Sequence, residues 1–219
     1  MKKVLGSIIL PALLLLSRLA AGQASASSPD DQMFQAIEKG DFAAVLQLLD
    51  NGAHIDAQGK DGVTALIAAS ATGHAEVVKT LLDKGASIDL KDNRGDTALS
   101  YAVMISNIEE AKLLLDKGAA IDVKDGDGFT PLMRSIVSGS PDLVKLLLDH
   151  GANVEAKDSN GFTSLMAASG GGQLEMVKAL LDHGANVNDK SNDGTTALSL
   201  AISQKHPDIE VLLRAKGAQ

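Results

Sequence analysis

The segment Gly128-Phe129-Thr130-Pro131-Leu132 decides the fold, because its glycine, threonine and leucine return at a fixed interval along the chain. The interval is 33 residues, and no insertion interrupts it. The recurring glycines are Gly62, Gly95, Gly128, Gly161 and Gly194. A Gly-Ala pair keeps the same spacing, with its glycines at Gly52, Gly85, Gly118, Gly151, Gly184 and Gly217. A strict period of this length indicates an array of structural repeats that pack against their neighbours.

Each copy of the segment carries the signals of a helix pair. Threonine is a favoured N-cap and proline is tolerated at the first helical position, as at Thr130 and Pro131. In the repeat that contains Thr64, this pattern predicts a first helix over 65–72 and a turn at Gly73. The second helix carries one apolar stripe, made of Val77, Val78, Leu81 and Leu82.

Glycines and other turn-forming residues mark the ends of the helices in each repeat. Gly85 is expected to end the second helix, because glycine readily adopts the left-handed conformation of a C-terminal cap. Ser106 and Lys205 replace the turn glycine in two repeats, so those turns are expected to be slightly strained or differently shaped. Each Gly-Ala is followed by an extended pair and a tip rich in Asp-Gly or Asn-Gly, which predicts a β-hairpin between helix pairs.

The segments around the threonines resemble the ankyrin repeat, whose first helix opens with Thr-Pro-Leu-His-x-Ala. Proline is kept only at Pro131, and the histidine never occurs. The resemblance implies an all-α solenoid, an ankyrin-repeat stack of helix pairs joined by β-hairpin loops, with about six repeats including caps. Asp31 is expected to cap the first helix, and Gln204, Lys205 and Arg214 to make the last repeat polar. The predicted boundaries are 27–58 for the N-terminal capping repeat, 59–91, 92–124, 125–157 and 158–190 for the internal repeats, and 191–219 for the C-terminal capping repeat.

The first 26 residues have the order of a bacterial secretory signal peptide. Lys2 and Lys3 precede an apolar run over 4–16, and small residues follow it. The run is too short for a transmembrane helix, which needs about 20 apolar residues. Cleavage is predicted after Ala26, with Ala24 or a site nearer Ala21 as alternatives, and an amphipathic or anchoring helix is the competing interpretation. The predicted location of the mature protein is periplasmic or secreted, with no integral membrane span.

Composition excludes several classes of function. The chain has no cysteine, so disulfides, thiolate chemistry and lipid attachment at cysteine are excluded. Removing 1–26 takes away Lys2, Lys3 and Arg18 and leaves 17 basic and 28 acidic residues, a net charge of −11 in place of −8. Repulsion from phosphates therefore argues against nucleic acid and against anionic membrane surfaces as partners.

No constellation of reactive residues appears, so the chain is predicted not to be an enzyme and to hold no cofactor and no metal. His150 and His183 occupy equivalent places in adjacent repeats, about 8 to 10 Å apart by helix packing, which is too far for a shared metal. The run 125–128 resembles a calcium loop, but Phe129 follows where the ligand pattern must continue. Arg94-Gly95-Asp96 matches an integrin-binding tripeptide by only two residues that the repeat does not already require.

In the ankyrin family, partners usually lie on the concave side, formed by hairpin tips and first helices. The positions there that vary between these repeats form the candidate partner-binding set: Asp96, Tyr101, Met104, Ile105, Asp127, Phe129, Arg134, Val137 and Phe162. Aromatic, methionine and arginine side chains on a surface are typical of binding hot spots. The alternative for Phe129 and Phe162 is that they pack onto neighbouring hairpins as local core.

The predicted function is an exported protein-binding ankyrin-repeat scaffold that recognises a protein partner through its concave face and hairpin tips. Acidic residues on the tips favour a partner with a basic patch. The chain is expected to be a monomer. The alternatives are a secreted effector or inhibitor acting on a host or competitor protein, and an accessory factor for a periplasmic stress-response enzyme.

Overall fold

The computed structural model describes residues 28–219. The predicted signal peptide and its cleavage site lie outside the described residues. Twelve α-helices and a short 3-10 helix (Lys60–Gly62) form the regular structure of the described part, which contains no strand. The chain divides into two compact units, the first ending at Ala120 and the second beginning at Ile121.

Residues 28–219 include no helix with both the length and the apolar character needed to cross a bilayer.

The first unit consists of three helix pairs. Its helices are α1 (Pro29–Glu38), α2 (Phe42–Asp50), α3 (Ala65–Thr72), α4 (Ala75–Asp83), α5 (Ala98–Met104) and α6 (Ile108–Asp116). The first helices pack in the order α1, α3, α5, and the second helices in the order α2, α4, α6. Leu66, Val78 and Leu114 are among its fully buried side chains. Burying each such side chain contributes about 1.5 to 3 kcal/mol, so the core is the main source of stability.

The second unit repeats this arrangement. Its helices are α7 (Pro131–Ser138), α8 (Pro141–Asp149), α9 (Ser164–Gly170), α10 (Leu174–Asp182), α11 (Ala197–Ser203) and α12 (Pro207–Ala215). The rows are α7, α9, α11 and α8, α10, α12. In the last pair Glu210 and Arg214 form an i,i+4 ion pair of 3.0 Å at positions where the preceding repeat carries Val177 and Leu181. The predicted polar character of the last repeat is thus present at Arg214.

The threonine caps predicted from the sequence are confirmed. The hydroxyl of each threonine accepts a hydrogen bond from the backbone N–H three residues later; the capping residues are Thr64, Thr97, Thr130, Thr163 and Thr196. Such a cap contributes about 1 kcal/mol to helix stability. The prediction for α1 is wrong: Ser28 is its N-cap, and Asp31 occupies the third helical position, from which its carboxylate accepts from the Ser28 N–H. This reciprocal pair leaves Asp31 inside the first turn.

The turns between paired helices require a left-handed residue. Gly73 and Gly139 have φ values of 72° and 70°. Ser106 and Lys205 adopt φ values of 58° and 61° at the equivalent places, so of the two expected outcomes these turns keep the left-handed conformation and are strained. A side chain in this region costs about 1 kcal/mol relative to glycine.

Carboxylates at the extended pairs join successive repeats within each unit. In the first unit the backbone N–H groups of Ser87 and Ala120 donate to Asp56 and Asp89, at 2.9 and 2.8 Å. In the second unit Asp122 accepts in the same way from the Asn153 N–H at 2.9 Å. The predicted hairpins are reduced to isolated antiparallel bridges in the described residues, between Gln58 and Thr64 and between Lys157 and Thr163.

Candidate functional site

Three aspartates organise the loop tips from inside. The Oδ1 atom of Asp125 accepts hydrogen bonds from the backbone N–H groups of Asp127 and Phe129, both at 2.9 Å. Asp92 and Asp158 hold the loops of their own repeats through the same two bonds, at 2.8 to 2.9 Å. Sequence reasoning missed this role. The signal was available, because these aspartates recur at the 33-residue interval.

In the first unit a tyrosine satisfies the second oxygen of the loop aspartate. The Tyr101 hydroxyl donates to Oδ2 of Asp92 at 2.8 Å, and the residue is 0% exposed. Burial, followed by the charge of Asp92, raises the pKa of Tyr101 far above its ordinary value. The expectation that Tyr101 lies on an accessible surface is therefore wrong, because its hydroxyl is required to satisfy a buried carboxylate.

Asp96 is also buried, with 2% of its surface exposed. Its Oδ2 lies 3.6 Å from Nε of Arg94, and its N–H donates to Asp92 Oδ1. The predicted exposure of Asp96 is wrong for the same reason as that of Tyr101, since the loop folds around Asp92. The tripeptide of residues 94–96 therefore does not present an accessible aspartate. Met104 and Ile105, at the end of α5, are half-buried and keep some accessible surface.

In the second unit an arginine takes the place of the tyrosine. Nε of Arg134 donates to Oδ2 of Asp125 at 2.7 Å, and one terminal nitrogen donates to Oδ2 of Asp127 at 2.9 Å. The guanidinium carbon lies 4.5 Å from the centroid of the Phe129 ring, a cation–π arrangement. Burial alone would lower the pKa of Arg134, but the two carboxylates outweigh it and raise the pKa. The arginine therefore remains charged and positions both the ring and the carboxylate beside it.

The second unit thus brings Asp127, Phe129 and Arg134 into contact. The Asp127 side chain is 71% exposed and Phe129 is half-buried, whereas the Arg134 side chain is only 11% exposed. Phe162 is half-buried in the following loop, and Val137 is half-buried near the end of α7. Neither phenylalanine is wholly core or wholly exposed, so each ring keeps some accessible surface. Arg134 braces this surface and offers little area of its own to a partner.

A buried glutamate in the first unit is the second feature that sequence reasoning missed. Glu110 on α6 is 0% exposed, and its Oε2 accepts from Nδ2 of Asn107 at 3.2 Å. Burial raises the pKa of Glu110 to about 7, and the nearby Ser70 hydroxyl opposes this only in part. Within the described residues, neither Ser70 Oγ nor Glu110 Oε1 has a partner with hydrogen-bond geometry. The sequence signal is a comparison between repeats. At the position equivalent to Glu110, other repeats carry apolar residues, namely Val77, Leu143, Met176 and Ile209.

The histidines make structural contacts. The Nδ1 groups of His150 and His183 donate to the carbonyls of Leu146 and Ala179, each at 2.8 Å. Nε2 of His183 also lies 3.6 Å from Oδ1 of Asp149. Across residues 28–219, no group of three or more histidine, cysteine, aspartate or glutamate side chains is placed to hold a metal ion.

Stacked helix pairs with a 33-residue period and ordered loop tips define an all-helical repeat protein. The family model "Ankyrin repeats (3 copies)" matches residues 33–125, 87–158 and 153–219. The chain therefore belongs to the ankyrin-repeat family, whose fold is a protein-interaction scaffold. No curated protein matches the chain significantly by sequence.

Two solved structures show how far the likeness extends. The chain is 29% identical to an ankyrin repeat domain from Acinetobacter baumannii AYE, with a TM-score of 0.81, over 85% of this chain and 98% of the other. It is also 29% identical to a chain in the complex of the predatory endopeptidase Bd0816 from Bdellovibrio bacteriovorus with the immunity protein Bd3460. That match has a TM-score of 0.76 and covers 89% of this chain and 100% of the other.

Proposed function

We propose that this chain is an exported, non-enzymatic scaffold that binds a protein partner through Asp127, Phe129 and Phe162, here called the second-unit tip surface. The observation that carries the proposal is that contacts within the chain hold Phe129 in place. Its N–H is bound to Asp125 and one ring face is covered by Arg134, while part of the ring stays accessible. An aromatic side chain that is ordered before binding loses little entropy on association, which favours affinity.

Charge favours a partner with a basic patch. The exposed carboxylate of Asp127 lies at the second-unit tip surface. Asp193, on a later loop of the same unit, has its pKa lowered to about 2 by hydrogen bonds from Ser191 and Thr195. Asp193 therefore stays negative at neutral pH, and its charge would accelerate encounter with a positive surface most strongly at low salt.

The second candidate function is inhibition of a peptidase. It is favoured by the similarity to a structure in which a predatory endopeptidase is held in complex with an immunity protein. On this proposal the second-unit tip surface contacts the peptidase and prevents substrate from reaching it. The two candidates share one surface and differ in whether the captured partner is an enzyme that loses activity.

Affinity capture from cell-envelope extract tests the proposal. The purified chain serves as bait beside a Phe129→Ala, Phe162→Ala double variant, with Val211→Ala as the matched control because Val211 is 67% exposed on α12. We expect the wild type and the control to retain one set of proteins that the double variant loses. Equal retention by all three chains contradicts the assignment of this surface. Adding each captured protein to a peptidase assay, with and without the chain, separates the second candidate from the first.

Export is tested separately. Expressed with its own first 26 residues in a bacterium, the chain is expected in the periplasm or the medium with its N-terminus at Ser27. An intact N-terminus in the cytoplasmic fraction, read by mass spectrometry, contradicts the proposed export.

A further inference from the structure

Two neighbouring loops of the second unit share the same backbone hydrogen bonds but differ in the helix side chain beside the loop aspartate. The earlier loop combines Asp125, Asp127 and Phe129 with Arg134 on the following helix. At the same register the later repeat carries an identical carboxylate and ring and a different helix residue: Asp158, Asn160, Phe162 and Ala167.

The backbone of the later loop reproduces that of the earlier one. Oδ1 of Asp158 accepts from the N–H groups of Asn160 and Phe162, both at 2.8 Å. In the earlier loop the equivalent bonds of Asp125 are 2.9 Å long. The carboxylate, the amide that replaces Asp127 and the aromatic ring are therefore expected to stand in the same mutual arrangement.

The later loop lacks the cation. Ala167 cannot reach Asp158, and among the described residues no side chain bonds to Oδ2 of Asp158. Ala167 is half-exposed, whereas Ala68, at the same register in the first unit, is 0% exposed. The position that corresponds to Arg134 is therefore partly open to solvent in the later repeat.

We infer that Asp158, Asn160 and Phe162 form a slot that receives an arginine side chain of the protein partner. This inference rests on the proposed function and specifies the chemistry that the partner must supply. The intramolecular contacts of Arg134 show the bound geometry: one nitrogen on the carboxylate, another on the neighbouring side-chain oxygen, and the guanidinium plane over the ring.

Arginine fits this slot better than lysine or an anion. A guanidinium is planar, donates along two directions at once and stacks on an aromatic face, whereas an ammonium offers a single point charge. Asn160 replaces the second carboxylate, so the slot carries one negative charge and matches one cation. An anion would meet Asp158 directly and be repelled.

The other loops of the described chain do not offer such a slot. Tyr101 fills the place beside Asp92. In the last repeat Ser191 replaces the loop aspartate, and Leu200 follows at the helix position. The slot is therefore specific to the repeat of residues 158–190.

Peptide titration followed by NMR tests the slot. The probe is N-acetyl-Gly-Arg-Gly-amide, and the matched peptides carry citrulline or lysine in place of arginine. We expect the arginine peptide to shift the Phe162 ring and Ala167 methyl signals. It should bind roughly tenfold more tightly than the citrulline peptide, because citrulline lacks the positive charge that pairs with the carboxylate and stacks on the ring. Absence of shifts at Phe162, or equal binding of arginine and citrulline peptides, overturns the inference.

The variant Ala167→Arg supplies the cation from within the chain. It is expected to pair with Asp158 as Arg134 pairs with Asp125, and to lose arginine-peptide binding at least tenfold. Leu200→Arg is the control, because it adds the same charge at the same register beside Ser191, and it should leave binding unchanged. Asp158→Asn is a second variant, whose side-chain oxygen can still accept the loop N–H groups, and it too should lose binding. Retained binding in both slot variants overturns the inference.

The slot and the proposed function fail in different ways. If the peptide gives no shifts at Phe162 while envelope capture still depends on Phe129 and Phe162, the slot is wrong and the scaffold function stands. If the peptide binds at Phe162 and is lost in Ala167→Arg, the slot is supported even where capture yields no partner, and the proposed function alone fails.

Discussion

The two units use one repeat register for different purposes. In the first unit the loop carboxylate of Asp92 meets the buried phenol of Tyr101. In the second unit the carboxylate of Asp125 meets the guanidinium of Arg134, which also holds Asp127 and covers Phe129. A phenol has one donor, whereas a guanidinium has five and a flat face. The first arrangement closes the loop onto the core, and the second leaves a ring and a carboxylate positioned at the surface.

The cores of the two units differ as well. On the second helix of a pair the first unit carries Glu110, where the second unit carries Leu143, Met176 and Ile209. A buried carboxyl costs stability unless it is fully hydrogen-bonded, and one oxygen of Glu110 has no partner in the described residues. The position of Glu110 is therefore apolar throughout the second unit, and the first unit contains a group that responds to pH.

Exchanging the core residues gives the largest expected effect. Leu143 is 0% exposed, so Leu143→Glu should destabilise the second unit by about 4 kcal/mol through lost apolar burial and a carboxyl without partners. Chemical denaturation with hydrogen exchange on α8 measures the loss. Leu143→Met is the control and should cost under about 1.5 kcal/mol. A similar small loss in both variants would show that the two cores tolerate a carboxyl equally.

The second largest expected effect is the pH dependence of stability that Glu110 causes. Its folded-state pKa of about 7 lies above the ordinary value of 4.5, so the folded chain binds a proton more tightly than the unfolded chain does. The contribution of this group to stability is therefore highest at acidic pH and falls as pH rises from about 4.5 to about 7. The total loss is about 3 kcal/mol. Unfolding free energies of the wild type and of Glu110→Gln, measured at pH 5 and pH 8, should diverge by most of this amount. Parallel pH profiles would contradict the burial of a titrating carboxyl.

Arg134 and Tyr101, which bind the loop aspartates, should contribute different amounts to the free energy of unfolding. Arg134→Ala leaves the carboxylate of Asp125, whose side chain is 3% exposed, without its cation and should cost about 2 kcal/mol. Tyr101→Phe removes one hydrogen bond to Asp92 and should cost about 1 kcal/mol. Denaturation curves at neutral pH give both values, and NMR of the Phe129 ring should show faster motion only in Arg134→Ala. A Phe129 ring that stays equally ordered would mean that the arginine is not its brace.

Relief of the strained turn is the smallest effect. Ser106→Gly should stabilise the first unit by about 1 kcal/mol, because φ is 58° there. Gly139→Ala, at the equivalent turn of the second unit, should destabilise by a similar amount. Its Cβ would meet only Nε2 of Gln173 at 3.9 Å, so the backbone cost is isolated. Melting temperatures that fail to move in opposite directions would remove turn strain as a difference between the repeats.

The sequence predicted the repeat framework well, because caps and turns are encoded locally. A threonine before an apolar run, Pro131 at the first helical position and a left-handed turn at Ser106 each follow from the chemistry of a few adjacent residues. The sequence predicts Asp31 as the α1 cap in place of Ser28, since both residues can cap and only the exact start of the helix distinguishes them.

The candidate surface was predicted only in part. Variation between repeats does not distinguish a side chain exposed to a partner from one that is buried against a loop aspartate. Tyr101 and Arg134 share one register position, yet a loop aspartate nine residues earlier buries the first and nearly buries the second. That dependence is visible only when the two positions are considered together. Glu110 was overlooked because a glutamate on a surface helix is ordinary, and only its register neighbours show that the position is core.

The affinity of a captured partner for variants of each unit tests the central claim most directly. The pair Phe129→Ala, Phe162→Ala alters the second-unit tip surface, and Met104→Ala, Ile105→Ala removes comparable half-buried side chains from the first unit. Calorimetry should show at least about tenfold weaker binding for the second-unit pair, as expected for loss of hot-spot residues, and less than about twofold for the first-unit pair. Equal losses, or a larger loss in the first unit, would contradict the assignment of recognition to the second unit.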